Sequence, residues 1–352
     1  MDAEGATEGQ HLRVADRLDR WQRGHPAIGF PIAVVFKFFD DQGPYLAALM
    51  TYYGFLSLFP LLLLLASILG FMLQGNSHLQ QTILHSTLSQ FPIIGDQLRQ
   101  PQGLQGSRLA VIVGGLTALY GALGVAQATQ NAMNVAWAVP RNRRPNPIKA
   151  RLRSLVLIAT AGLAVIATTM LSAIGSSARS YGADVSGVVA LLATLAAVVV
   201  NVAIFVIGFR ISTAHKLRTR EALPGAVVAA MIWQALQLTG TAFFGRVVKN
   251  AGTTYGAFAV VLGLLAWIFL ASLGVVFAAE INVVRVKHLY PRALLTPFTD
   301  DVDLTIGDRH AYTDAALAQR VKGFQTVVVS FENEGQNASA NRERRPRQPK
   351  QN

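Results

Sequence analysis

Six apolar stretches, each long enough to cross a bilayer, constrain this chain more than any motif in it. They run over about 46–73, 109–137, 153–175, 185–211, 223–248 and 255–284. A helix rises ~1.5 Å per residue and a bilayer's hydrocarbon core is ~30 Å thick, so about 20 apolar residues suffice to span it. All six meet that length. The pattern predicts an all-α, polytopic membrane protein: a six-transmembrane-helix bundle with amphipathic interfacial helices.

Charge supplies the expected orientation. Only 14% of the 352 residues are charged, and the formal net charge is +12. The basic residues gather in alternate connections. Counting Arg153, Arg210 and Arg246 at the ends of their stretches, fifteen Lys and Arg lie before the first stretch, between the second and third and between the fourth and fifth; the other three connections hold five. By the positive-inside rule both termini are expected to be cytoplasmic. The same placement accounts for the basic balance without nucleic acid, and no nucleic-acid partner is expected.

The flanking segments have their own readings. Residues 1–27 form a polar cytoplasmic leader, without the apolar core of a cleavable signal. Within the membrane domain (28–292), Ile28–Phe39 is too short to span and is expected to lie in the interface, with Lys37 and Asp40–Asp41 at its end. Leu79, Ile83, Leu84 and Leu88 have helical spacing and predict a short external amphipathic helix. A small cytoplasmic region covers 293–332, where the apolar run Thr326–Phe331 predicts a strand or short helix. Residues 333–352 read as a disordered basic tail able to touch anionic headgroups.

Polar residues inside apolar stretches are costly and tend to face a bundle interior or a wet cavity. Gln127, Gln130, Asn131 and Asn134 recur at i, i+3, i+4, i+7, on one helical face. Thr51 and Tyr52, Asn201, Gln234, Glu280 and Asn282 complete the set, and Glu280 is the sole acidic residue in the six stretches. With the expected orientation, most of these lie in the cytoplasmic half. One reading is a hydrated vestibule open to the cytoplasm, with Glu280 as its main charge and a proton or cation site. The other is helix–helix glue, with Glu280 paired to Arg285, Lys287 or a loop arginine. Pro60 falls mid-stretch and predicts a kink, either a hinge or a static bend.

Several chemistries lack their residues. Cysteine is absent, the seven histidines are scattered, and there is no phosphate-cradling Gly-rich loop. No metal, no cofactor and no enzymatic activity are expected.

Four motifs in order carry a family resemblance. Ala47-Ala48-Leu49-Met50-Thr51-Tyr52-Tyr53 with Leu56-Ser57-Leu58-Phe59-Pro60 resembles the first-span signature of the bacterial YihY/BrkB family. Asn134-Val135-Ala136-Trp137 resembles its second-span exit, Glu221-Ala222-Leu223-Pro224-Gly225-Ala226 its fifth-span entry, and Tyr255-Gly256 through Glu280-Ile281-Asn282 its last span. The resemblance covers about residues 28–290. It implies a six-helix inner-membrane protein of the cell envelope, associated with envelope integrity and serum resistance. The expected role is transport or export of an envelope component such as a lipid, with membrane lipids as partners. A non-transporting envelope scaffold is the alternative. Some members carry a ribonuclease BN label, to which these residues add no support.

Overall fold

The computed structural model describes residues 17–72, 108–178, 183–250, 256–299 and 302–331. The expected external helix around Leu79–Leu88 and the tail 333–352 lie outside the described residues. Helical residues 17–23 lead into α1 (Pro26–Asp40). Six long helices follow: α2 (Gly43–Met72), α3 (Arg108–Ala136), α4 (Pro147–Ala178), α5 (Ala183–Ser212), α6 (Thr219–Asn250) and α7 (Gly256–Lys287). A shorter one, α8 (Ile306–Ala318), comes last. Among the described residues there is no strand.

Each long helix packs on the next in sequence, and α7 returns to α2, so the six close into a ring. α1 lies against α7 and α2. The interior is built from small side chains: Ala33, Ala47, Ala132, Ala136, Ala222, Ala226 and Ala278 are fully buried. Large apolar residues point outward instead. Leu109, Ile112, Leu116 and Tyr120 form an exposed stripe along α3, and Leu163, Val199 and Phe258 are exposed on α4, α5 and α7. Small residues let helix backbones approach closely, and an apolar outer face suits a hydrocarbon solvent. Val111–Ala136 and Phe258–Lys287 are each long and apolar enough to cross a membrane.

Glycines mark the tightest approaches. A Cβ on Gly121 would fall 2.4 Å from Ser57 Cβ, and one on Gly124 2.2 Å from the Tyr53 ring, so α2 and α3 touch nearly backbone to backbone. At the α6–α7 crossing a Cβ on Gly225 would fall 2.1 Å from the Ala278 carbonyl oxygen. α2 is helical without interruption across Pro60.

Beyond α7 the chain folds back over the leader. Arg292 is fully buried and is the knot of this cap. Its guanidinium bonds Asp308 at the start of α8 and Asp40 at the end of α1, the latter at 2.9 Å. Its carbonyl accepts from Gln22, while Asp19 accepts from the Leu294 N–H at 2.9 Å. Thr305 and Asp308 form a reciprocal capping box at the start of α8. The run Thr326–Phe331 is neither strand nor helix, which corrects the sequence expectation. Its side chains alternate between exposed and half-buried, and among the described residues no strand takes up its backbone groups.

Gly225→Ala is expected to cost about 1–3 kcal/mol through overpacking at Ala278 and Asn282. Gly162→Ala, where a Cβ meets nothing within 4 Å, is expected to be neutral or mildly stabilising. Thermal melts of the two variants in detergent check the contrast.

Candidate functional site

Three helix ends converge on one buried ammonium group. Lys37 lies in the last turn of α1, flanked by Val34, Val35, Phe36, Phe38 and Phe39. It is 3% exposed, because the apolar face of α1 packs against α7 and carries the lysine inward. Its Nζ bonds Asp41, one helical turn on, and donates to the Ala136 carbonyl oxygen at the C-terminus of α3, at 3.3 Å. A cation there also meets the negative end of the α3 dipole. On the third side, Glu280 Oε2 of α7 lies 3.8 Å from Nζ. Glu280 is fully buried, and neither of its oxygens has a hydrogen-bond partner.

The electrostatics follow from that crowding. Burial opposes the ammonium form of Lys37, but Glu280, Asp41 and Asp40 together outweigh it and hold its pKa above the ordinary lysine value. Burial lifts the Asp41 carboxyl above the usual carboxylate range despite the attraction of Lys37. Glu280 does not pair with Arg285, Lys287 or a loop arginine, as sequence proximity suggested. Lys287 is engaged elsewhere, with Asp314 at 2.8 Å and the Trp137 carbonyl at 2.9 Å.

The amide side chains on α3 and α7 are tied to neighbouring segments. Asn134 Oδ1 accepts from the Ala214 N–H at 2.8 Å and so holds the α5–α6 connection. The chain leaves α3 through Ala138 in a left-handed conformation (φ 48°), with the Val139 N–H returning to the Asn134 carbonyl. Trp137 then stacks flat on His215, ring centroids 4.6 Å apart. Burial, aided by Lys287, pushes His215 below the ordinary histidine pKa. Asn131 accepts from Arg144 at 3.2 Å, and Gln130 donates to Ser154 Oγ at 2.8 Å. Asn282 brackets the first turns of α6, where Pro224 cannot donate a backbone bond. Its Oδ1 accepts from the Gly225 N–H at 2.7 Å and its Nδ2 donates to the Ala222 carbonyl at 3.2 Å.

The remaining candidates lie apart from the Lys37 cluster. Thr51 is buried, and its hydroxyl donates to Ala47 of its own helix at 2.8 Å. Tyr52 and Gln127 are exposed, while Asn201 and Gln234 are half-buried on α5 and α6. A cavity of about 170 Å³ between α2, α5, α6 and α7 is lined almost wholly by apolar residues, among them Met50, Phe205, Trp233, Leu236 and Ile268, with Ser272 as its hydroxyl. The candidate polar set is absent from its wall. Sequence reasoning missed Lys37 as a site residue. The signal was a lone lysine inside an aromatic, apolar run, followed four residues later by an aspartate.

Comparison with known proteins adds the family. Residues 34–297, three quarters of the chain, match the family described as Virulence factor BrkB. The chain belongs to the BrkB family. Lys37, Asp41, Glu280, Asn134 and Asn282 all fall inside the BrkB match. A relative in Bacillus subtilis (strain 168), named "Putative ribonuclease-like protein YfkH", is 24% identical over 255 residues, covering 70% of this chain and 91% of the relative. No solved structure matches the chain. BrkB membership, helices apolar enough to span and a large-residue apolar exterior make this a membrane-associated protein.

Lys37→Met leaves Asp41 and Glu280 buried without their shared cation, and is expected to cost about 3–5 kcal/mol. Lys37→Met combined with Asp41→Asn is expected to recover part of that loss, measurable as a double-mutant cycle of detergent unfolding. The folded pKa of Lys37 is raised, so its stabilisation is complete below the ordinary lysine value and lost as pH climbs through the higher one. An alkaline fall in melting temperature should therefore be smaller in Lys37→Met than in wild type.

Proposed function

We propose that this BrkB-family chain is a multi-pass inner-membrane protein with six spans and both termini cytoplasmic. We propose further that it transports or exports an envelope component such as a lipid. The fifteen-to-five split of basic residues supports that topology. The buried Lys37–Asp41–Glu280 cluster carries the functional reading. Charged groups inside a membrane bundle are expensive and mark pathways and proton relays more often than they stabilise. Here three of them meet where α1, α3 and α7 converge. Under the same topology this is the cytoplasmic end of the bundle, the side on which an exported lipid is made available.

A second reading is favoured by a different observation. Asn131, Asn134 and Asn282 are bonded to an arginine or to the backbone of neighbouring segments, which is what helix–helix glue does. In that reading the chain is an envelope scaffold and moves nothing. The name of the Bacillus relative raises ribonuclease activity as a third reading. We take the chain to be a non-enzyme without a nucleic-acid partner, because membrane topology already accounts for where its basic residues lie.

Reconstitution into liposomes carrying a headgroup-labelled fluorescent phospholipid tests the first reading. Wild type is expected to accelerate transbilayer exchange, and Glu280→Gln to slow it by about tenfold or more while keeping its helical content. Equal rates in wild-type, variant and empty vesicles would favour the scaffold. RNA cleavage by the purified protein with a divalent cation, lost in no cluster variant, would contradict both.

A further inference from the structure

We infer that the Lys37–Asp41–Glu280 cluster holds one exchangeable proton at neutral pH, carried on the Glu280 carboxyl. Charges must balance in a space that water barely enters. The side chains of Lys37, Asp41 and Glu280 are 4%, 11% and 0% exposed. Two carboxylates and one ammonium carry a net charge of −1, and the cluster becomes neutral only by binding one positive charge. A buried, unpaired ion costs far more than a neutral acid, so such a group neutralises.

Geometry decides which carboxylate takes the proton. Asp41 is in direct contact with Lys37 Nζ, and that pair is already neutral. Glu280 stands 3.8 Å from Nζ, beyond hydrogen-bond distance, and its carboxyl lies beside that of Asp41, with no donor for either of its oxygens until one of the two acids is protonated. The C-terminal carbonyl of α3, at Ala136, faces the same ammonium and adds further negative potential. The other charged groups around the cluster are committed. Asp40 of α1 and Asp308 of α8 pair with Arg292, and Lys287 of α7 pairs with Asp314. Arg285, also on α7, is exposed. No second cation among the described residues is within salt-bridge distance of Glu280. Asp41, at the α1–α2 turn, is the cluster's most exposed member and gives the proton its way to water.

The inference rests on the cluster alone and does not require that the protein transport anything. Its test is infrared spectroscopy of the full chain in lipid, recorded in heavy water across pH. At neutral pH the C=O stretch of a protonated carboxyl is expected in wild type and absent in Glu280→Gln. Asp41→Asn changes the count to one carboxylate and one ammonium, so the proton leaves and the band is expected to vanish there too. Asp314→Asn, outside the cluster, should retain it. Absence of the band in wild type, or its persistence in Glu280→Gln, overturns the inference. If the band behaves as expected while lipid exchange is unaffected by Glu280→Gln, the proton site stands and the transport reading falls.

Discussion

One buried ammonium group determines how the ends of three helices meet. Lys37 Nζ touches Asp41, the C-terminal carbonyl of α3 and the approach to Glu280 on α7. Without it, two carboxylates and a helix end would face one another across a dry junction. Removing one partner of such a buried group costs several kcal/mol, because the others are left uncompensated. α1 is therefore pinned as part of the bundle at its C-terminal end, rather than resting on it as a free interfacial helix. The pin continues outward: Asp40, beside Asp41, bonds Arg292, and Arg292 gathers α8 and the leader.

The rest of the bundle follows a rule opposite to that of a water-soluble core. Alanines and glycines occupy the tightest contacts, beside buried valines such as Val276, Val283 and Val284, and many Leu, Ile and Phe side chains cover the outside. Such contacts are held by close packing and by side chains that bond a neighbouring backbone. Asn134 and Asn282 both do this, one fixing the α5–α6 connection and the other the proline-opened start of α6. Two of the motifs that resemble the YihY/BrkB pattern thus have a local physical role, independent of any substrate.

Much of the helical architecture was legible in the sequence, because a long apolar run without breakers leaves a chain few alternatives. Glu280 was legible too, as the single acid in the six stretches. Its partner was not. Lys37 lies far away in the chain, and neighbours in sequence, Arg285 and Lys287, were the natural guesses. Periodicity gave the direction of the α3 amides, but it does not say how far a neighbouring segment reaches along that face. Hence Asn134 is buried and bonded while Gln127 is exposed. Helix α8 was missed although Thr305 and Asp308 have capping-box spacing. Composition alone does not reveal that the apolar run Thr326–Phe331 joins no strand or helix, or that Phe331 sits against Arg309 of α8.

The central claim is that Lys37 points into the bundle, toward Asp41 and Glu280. A high-resolution cryo-EM map of the full chain in a lipid nanodisc measures this directly. The account predicts Lys37 Nζ against Asp41 and near 3.8 Å from Glu280, with Glu280 enclosed by α1, α3 and α7. A lysine turned outward to the headgroups, with Glu280 facing acyl chains or pairing with Lys287, would contradict it.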